Sequence, residues 1–183
     1  MENVLKFVLT LIGVAIVFGF IATISSMRME QYKEQIIAIE STDYPTTAHI
    51  EEELSCMAMN IYREAAGEPF EGKVAVAQVT MNRVKSGKDF PDTVCSVVHE
   101  KNIFMKRVVC QFSWYCSKVV RARPVNSIAY DESYEVAKKV MLENFELDIL
   151  KDAMYYHADS ISPNWNYQLV TKIGGHIFYK DKS

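Results

Sequence analysis

Three glutamates crowd one short turn of this chain. Over residues 64–72 the sequence reads Glu64-Ala65-Ala66-Gly67-Glu68-Pro69-Phe70-Glu71-Gly72, between two stretches of helical pattern. The first stretch ends at Glu64. The unpaired carbonyls of a helix C-terminus carry partial negative charge, which disfavours a carboxylate there. Partial burial in a cleft raises the pKa in the same direction. An acid placed so can stay protonated near neutral pH and donate to a leaving-group oxygen, as glycoside cleavage requires. Glu68 and Glu71 follow, but Gly67 and Pro69 intervene, so helical spacing cannot set them beside Glu64. The competing reading makes all three acids solvated surface groups, with Gly67 a helix cap and Pro69 the start of the next turn.

The elements that position this turn are two helices. One is expected over 50–65, opening on Glu51-Glu52-Glu53, acids that complement the dipole of a first turn. Its apolar positions Leu54, Met57, Ala58, Ile61 and Ala65 follow the 3–4 spacing of a buried stripe. The second, over 72–84, is apolar enough to lie in the core, with Val74, Ala77, Val79 and Met81 inside. Beyond it come a turn-rich loop (SGKDFPDTV), a short helix around 94–100, an irregular stretch over 101–124 and a helical pattern over 131–144. A tail over 153–179, rich in Tyr, His, Trp and Gly, suits a short hairpin or loops. The domain is expected to be mainly α.

The N-terminus is different in kind. Residues 7–24, FVLTLIGVAIVFGFIATI, carry no charge, and at ~1.5 Å per residue such a run nearly crosses a hydrocarbon core. A transmembrane signal anchor is preferred over a cleaved signal peptide, because Ala22-Thr23-Ile24 makes a poor cleavage site. Gly13, Ala15, Gly19 and Ala22 weaken its hold on a bilayer. The expected organisation is an anchor over 1–27, a linker over 28–50 and a catalytic domain over 51–183. Four cysteines (Cys56, Cys95, Cys110, Cys116) all follow the apolar run. In an exported domain they permit two disulfides in any of three connectivities. A bridge between Cys110 and Cys116, or from either to Cys95, would stiffen the wall of a cleft; the alternative is four reduced core cysteines. Their spacing lacks C-x-x-C pairs, so no zinc and no other metal or cofactor is expected. The net charge of -3 and the lack of a binding motif argue against a nucleic-acid partner.

The segment around Glu64 resembles the spore-cortex-lytic, SleB-type family of cell wall hydrolases, whose hallmark is a helix ending in E-A-x-G-E-P-x-E-G. The resemblance continues through VAVAQVTMNRV (residues 74–84), FPDTVCSVV (90–98), CQFSWYC (110–116), AMYYHADSISPNW (153–165) and IGGHIFY (173–179). The family often has Arg where Ala66 stands, a change that removes a surface charge and leaves the acid.

What the resemblance implies is a lysozyme-like, lytic-transglycosylase-like domain acting on peptidoglycan between N-acetylmuramic acid and N-acetylglucosamine. Glu64 matches the position of the glutamate that serves as acid and then base. With no obvious second carboxylate, closure of the substrate's own 6-hydroxyl on the anomeric carbon is favoured over hydrolysis. Hydrolytic cleavage, or a peptidoglycan binder without turnover, are the alternatives. An amidase or peptidase would need a zinc set or a Cys/His nucleophile that this spacing does not offer.

Aromatic, amide and hydroxyl groups suit sugar contacts, so Gln111, Phe112, Ser113 and Trp114 are expected along the cleft, with Tyr155, Tyr156, His157, His176 and Tyr179 as a second set. Against this, Phe112, Trp114 and Phe178 also suit a core, and His157 and His176 a hydrogen-bonded scaffold. The domain is expected outside the cytoplasmic membrane, in the periplasm or wall space, either as a phage lysin or as a bacterial remodelling enzyme.

Overall fold

Thr46 starts the domain's first helix: its extended backbone (φ -61°, ψ 154°) lets the hydroxyl accept from the His49 amide at 3.3 Å. The computed structural model describes the backbone of residues 1–41, 46–87 and 89–182, and the side chains of the same ranges except 3–12, 14, 15, 17 and 35–41. The chain divides into two units, Met1–Pro45 and Thr46–Ser183.

Among its described residues the first unit is one helix, α1 (Glu2–Ser41). Of the charge-free run at 7–24, the side chains of 7–12, 14, 15 and 17 lie outside the described residues. Among the described residues no helix is long and apolar enough to cross a membrane. The expected linker is largely helical, since α1 runs to Ser41 and the next helix begins at Thr47; residues 42–45 of it lie outside the described residues.

The second unit is built on α2 (Thr47–Ala65) and α3 (Phe70–Ser86). The predicted stripe Leu54, Met57, Ala58, Ile61 and Ala65 is buried on α2. Leu54, Met57, Ala58 and Ile61 of that stripe meet Val74 and Ala77 of α3, Val94, Val97 and Val98 of α4 (Val94–Val98) and Val136, Ala137 and Val140 of α7 (Ser127–Leu142) in one core. α3 is the central helix, buried on nearly every side, and it begins two residues earlier than expected because Pro69 serves as its N-cap. Gly87 ends it in the left-handed conformation (φ 64°).

Such a helix buries polar groups, and each must find partners. Gln78 clasps Leu147, donating to its carbonyl (3.1 Å) and accepting from its amide (2.7 Å). Asn82 donates to the carbonyls of Leu150 and Ala153, both at 2.8 Å. Asn60 of α2 accepts from the Trp114 indole at 2.9 Å and donates to Thr80 at 3.2 Å.

The stretch over 101–124 is more ordered than expected. It holds an antiparallel hairpin, β1 (Lys101–Phe104) and β2 (Arg107–Cys110), then the short helices α5 (Ser113–Cys116) and α6 (Lys118–Arg121). The hairpin turns on Met105 and Lys106, both at positive φ (47° and 62°), the geometry that matches strand twist in a tight turn. The tail forms a three-stranded antiparallel sheet in the order β3-β5-β4, from β3 (Tyr155–Ala158), β4 (Gln168–Ile173) and β5 (His176–Lys180). Phe178 of β5 packs with Ala75 and Val79 of α3, which seats the sheet on the central helix.

Both disulfides lie in this unit. Cys56 pairs with Cys95, tying α2 to α4, and Cys110 pairs with Cys116. The proposed short bridge is therefore present, and the alternatives joining Cys95 to either of those cysteines are not.

Candidate active site

The last turn of α2, the C-terminal half of α3, the 111–113 segment and β3 face one another across a cleft of about 390 Å³. Glu64 stands on its floor, half-buried, at the end of α2. Its Oε2 accepts a hydrogen bond from the Tyr156 hydroxyl at 3.3 Å. Burial pushes the Glu64 carboxyl above its ordinary value of 4.5; the Tyr156 hydroxyl and the Arg83 cation oppose that rise without cancelling it. Burial likewise pushes the Tyr156 phenol well above its ordinary value, so the phenol keeps its proton and acts as a donor.

Arg83 is one lining residue that sequence reasoning missed. It is only 5% exposed, on the cleft side of α3. Its Nε donates to the Met154 carbonyl at 2.8 Å, and the guanidinium lies between the rings of Phe90 and Phe112, 5.1 and 5.2 Å from their centroids. Its Nη1 is buried without a hydrogen-bond partner among the described residues. The signal was available: a cation inside a helix expected to lie in the core requires a dedicated environment. Trp165 and Ile161, on the loop between β3 and β4, also line the cleft, with Ala158 at the end of β3. Trp165 lies at the end of the 153–165 segment, where no spacing marks it as a cleft residue.

Of the predicted contacts, Gln111, Phe112, Ser113, Tyr155, Tyr156, His157 and His176 line the cleft with Glu64. Trp114 does not; it is buried in the core. Tyr179 stands behind the lining, its hydroxyl 3.0 Å from His157 Nε2. The other ring nitrogen of His157 lies 2.8 Å from the Ala158 carbonyl. A carbonyl only accepts, so Nδ1 carries the proton of that bond. Both nitrogens are thereby occupied, which makes His157 a scaffold group at the cleft wall. His176 packs edge-on to Tyr156 at 5.1 Å, and burial lowers its pKa.

Glu68 and Glu71 point to other tasks. Glu68 Oε2 accepts from the Gly175 amide at 2.8 Å, pinning the turn between β4 and β5 to the turn between α2 and α3. Glu71 is exposed in the first turn of α3. Among the described residues no group of three or more His, Cys, Asp and Glu is placed to hold a metal ion.

This arrangement can deliver a proton, and take one back, at a single carboxyl between aromatic and amide walls. The chain is similar to known proteins over most of this domain. The cell wall hydrolase family model matches residues 67–179, beginning just past Glu64. The spore cortex-lytic enzyme of Bacillus cereus is 32% identical over 145 residues, covering 77% of this chain and 49% of that protein. The spore cortex-lytic enzyme of Oceanobacillus iheyensis is 33% identical over 132 residues, covering 70% of this chain and 41% of that protein. The chain thus spans about half the length of these curated relatives, or less.

Solved catalytic domains correspond more fully. That of the Bacillus cereus SleB protein is similar with a TM-score of 0.50 and 28% identity, covering 71% of this chain and 91% of that one. That of the germination-specific lytic transglycosylase SleB from Bacillus anthracis gives 0.52 and 29%, covering 76% and 98%. By the family match, the shared sequence and the shared catalytic-domain fold, the chain belongs to the cell wall hydrolase family.

Proposed function

We propose that the domain cleaves the glycan strands of peptidoglycan between N-acetylmuramic acid and N-acetylglucosamine, as a lytic transglycosylase with Glu64 as its single acid and base. The observation that carries this reading is the raised pKa of Glu64 in a cleft with no second Asp or Glu among its described lining residues. Two-carboxylate hydrolysis needs a nucleophile or a water-activating base opposite the acid.

In the proposed cycle Tyr156 occupies Oε2 of Glu64, which leaves Oε1 to carry the transferable proton. That proton passes to the glycosidic oxygen as the C1–O bond breaks, and the leaving sugar departs with a free hydroxyl. The carboxylate left behind is steadied by the Tyr156 hydroxyl and the Arg83 cation. It then takes the proton of the substrate's 6-hydroxyl as O6 bonds to C1, closing a 1,6-anhydro ring and restoring the acid. No water is consumed. The walls presented by Gln111, Phe112, Ser113, Tyr155 and His176 would hold the strand through amide, hydroxyl and aromatic contacts.

The place of action we propose is the outer side of the cytoplasmic membrane. Two disulfides suit an oxidising compartment, and the charge-free run at 7–24 would tether the chain there as a signal anchor. Digestion of purified peptidoglycan followed by mass analysis of the fragments tests the chemistry. Anhydro-muramyl ends are expected. Reducing ends would make the enzyme a hydrolase, and intact strands would make the domain a binder.

A further inference from the structure

The hairpin β1–β2 is the most apolar exposed feature of the second unit, and the proposed chemistry makes no use of it. Ile103, Phe104 and Met105 are 81%, 64% and 81% exposed, and Val108 and Val109 are 61% and 49%. The register sets Ile103 opposite Val108 and Phe104 opposite Arg107, with Asn102 opposite Val109. Directly opposed residues share a face, and neighbouring pairs alternate faces. Large apolar groups therefore stand on both faces, Ile103 with Val108 on one and Phe104 with Val109 on the other. Lys101, Lys106 and Arg107 add three positive charges between residues 101 and 110, where there is no acid, in a chain whose net charge is -3.

We infer that this hairpin docks on an anionic lipid surface, with its tip entering the interfacial layer. The two-faced distribution selects this partner. A protein docked on one face would leave the other apolar face in water, whereas a bilayer surrounds an inserted tip on every side. Lys106 and Arg107, at the turn, lie where their long side chains reach phosphate while their stems stay with the apolar groups; Lys101 sits at the base, its Nζ 4.8 Å from the Tyr115 ring centroid. Both outer strand edges carry unpaired backbone groups, so insertion stops at the headgroup level, where water and phosphate satisfy them.

The mount is firm. The Cys110–Cys116 disulfide and the hydrogen bond from the Gln111 amide to the Glu100 carbonyl (3.2 Å) hold the hairpin's base beside the cleft wall. Four-residue strands span about 13 Å, so a docked tip would keep the cleft close to the bilayer surface.

Residues 46–183 hold both disulfides and the whole described apolar core, so they suit a test free of the N-terminal apolar run. Sedimentation with vesicles of phosphatidylcholine and phosphatidylglycerol is expected to carry this unit down, less so at high salt, while pure phosphatidylcholine vesicles leave most of it in solution. Lys106→Gln with Arg107→Gln should weaken the partition by on the order of 25-fold, about five-fold per charge. Phe104→Ser with Met105→Asn, where Asn tolerates the positive φ, should reduce it to the level of pure phosphatidylcholine. All these side chains are exposed, so melting temperature and cleavage of soluble glycan fragments should not change. Equal sedimentation with both vesicle types, or variants that sediment as wild type does, would overturn the inference. So would loss of peptidoglycan binding or of self-association in the variants without loss of lipid binding. None of these outcomes bears on Glu64, so the two proposals fail separately.

Discussion

Glu64 and Glu68 sit four residues apart, and the structure predicts opposite phenotypes for them. Glu68 lies beneath the turn at Gly174 and Gly175. A Cβ added to Gly174 would come within 1.9 Å of its Oε2, and one on Gly175 within 2.9 Å of its Oε1. The Gly175 amide donates to it at 2.8 Å. A hydrogen bond to a charged group contributes ~1.5–3 kcal/mol. Glu68→Ala removes it and leaves the two turns unlinked, at a cost of about 2 kcal/mol. For a unit of this size that lowers Tm by roughly 6–8 °C. Glu68→Gln keeps an acceptor and should lose about half as much.

Glu64→Gln should behave otherwise. Burial raises the folded-state pKa of Glu64 above its unfolded value. Between those two values the folded chain holds a proton that the unfolded chain has released, so Glu64 costs stability increasingly as pH rises through that window. Glu64→Gln should therefore melt at or above the wild-type temperature at neutral pH, with the advantage gone below the ordinary carboxyl range. The assay is a pair of thermal melts and cleavage rates for each variant, with rates taken well below Tm. Glu68→Ala with an unchanged Tm and abolished cleavage would refute the assignment of Glu68 to scaffold.

Three further outcomes are expected. Tyr156→Phe deletes a hydroxyl that opposes the rise in the Glu64 pKa, so the alkaline limb of the cleavage-against-pH profile should move to higher pH; a shift to lower pH would contradict the hydrogen bond as the cause. Opening the Cys56–Cys95 bridge, with a sequence separation of 39, should cost about 4 kcal/mol, and opening Cys110–Cys116, with a separation of 6, about 2 kcal/mol, as denaturant melts of Cys→Ala pairs would show. Gly174→Ala meets both a left-handed backbone (φ 56°) and the Glu68 carboxylate, and should destabilise by about 3 kcal/mol, with the loss smaller when Glu68 is also Ala.

The parts legible from sequence were those with a buried face to impose a period. The α2 stripe and the central place of α3 followed from apolar spacing, and Glu64 as the end of α2 followed from the break after it. The hairpin at 101–110 was read as irregular because neither of its faces packs on the core, so no alternation of apolar and polar residues marks it. The sheet at the C-terminus was expected only as a hairpin or loops. Its third strand, β4, has all six of its residues exposed or half-exposed and so shows little burial pattern. At the cleft, residue type identified most of the lining, but type alone cannot separate Phe112, which is both buried and at the wall, from Trp114, which is held inward by Asn60. Arg83 escaped because it sits in a segment read for its apolar period.

The central claim is that one carboxyl, Glu64, moves the proton in glycan cleavage. The direct measurement is the rate at which purified peptidoglycan is solubilised by the wild-type chain and by Glu64→Gln, at a temperature where both are folded. A positioned general acid and base contributes roughly 10²–10⁴-fold, so the variant should be at least about 100-fold slower while still binding the wall. Solubilisation at the wild-type rate by folded Glu64→Gln would contradict the claim.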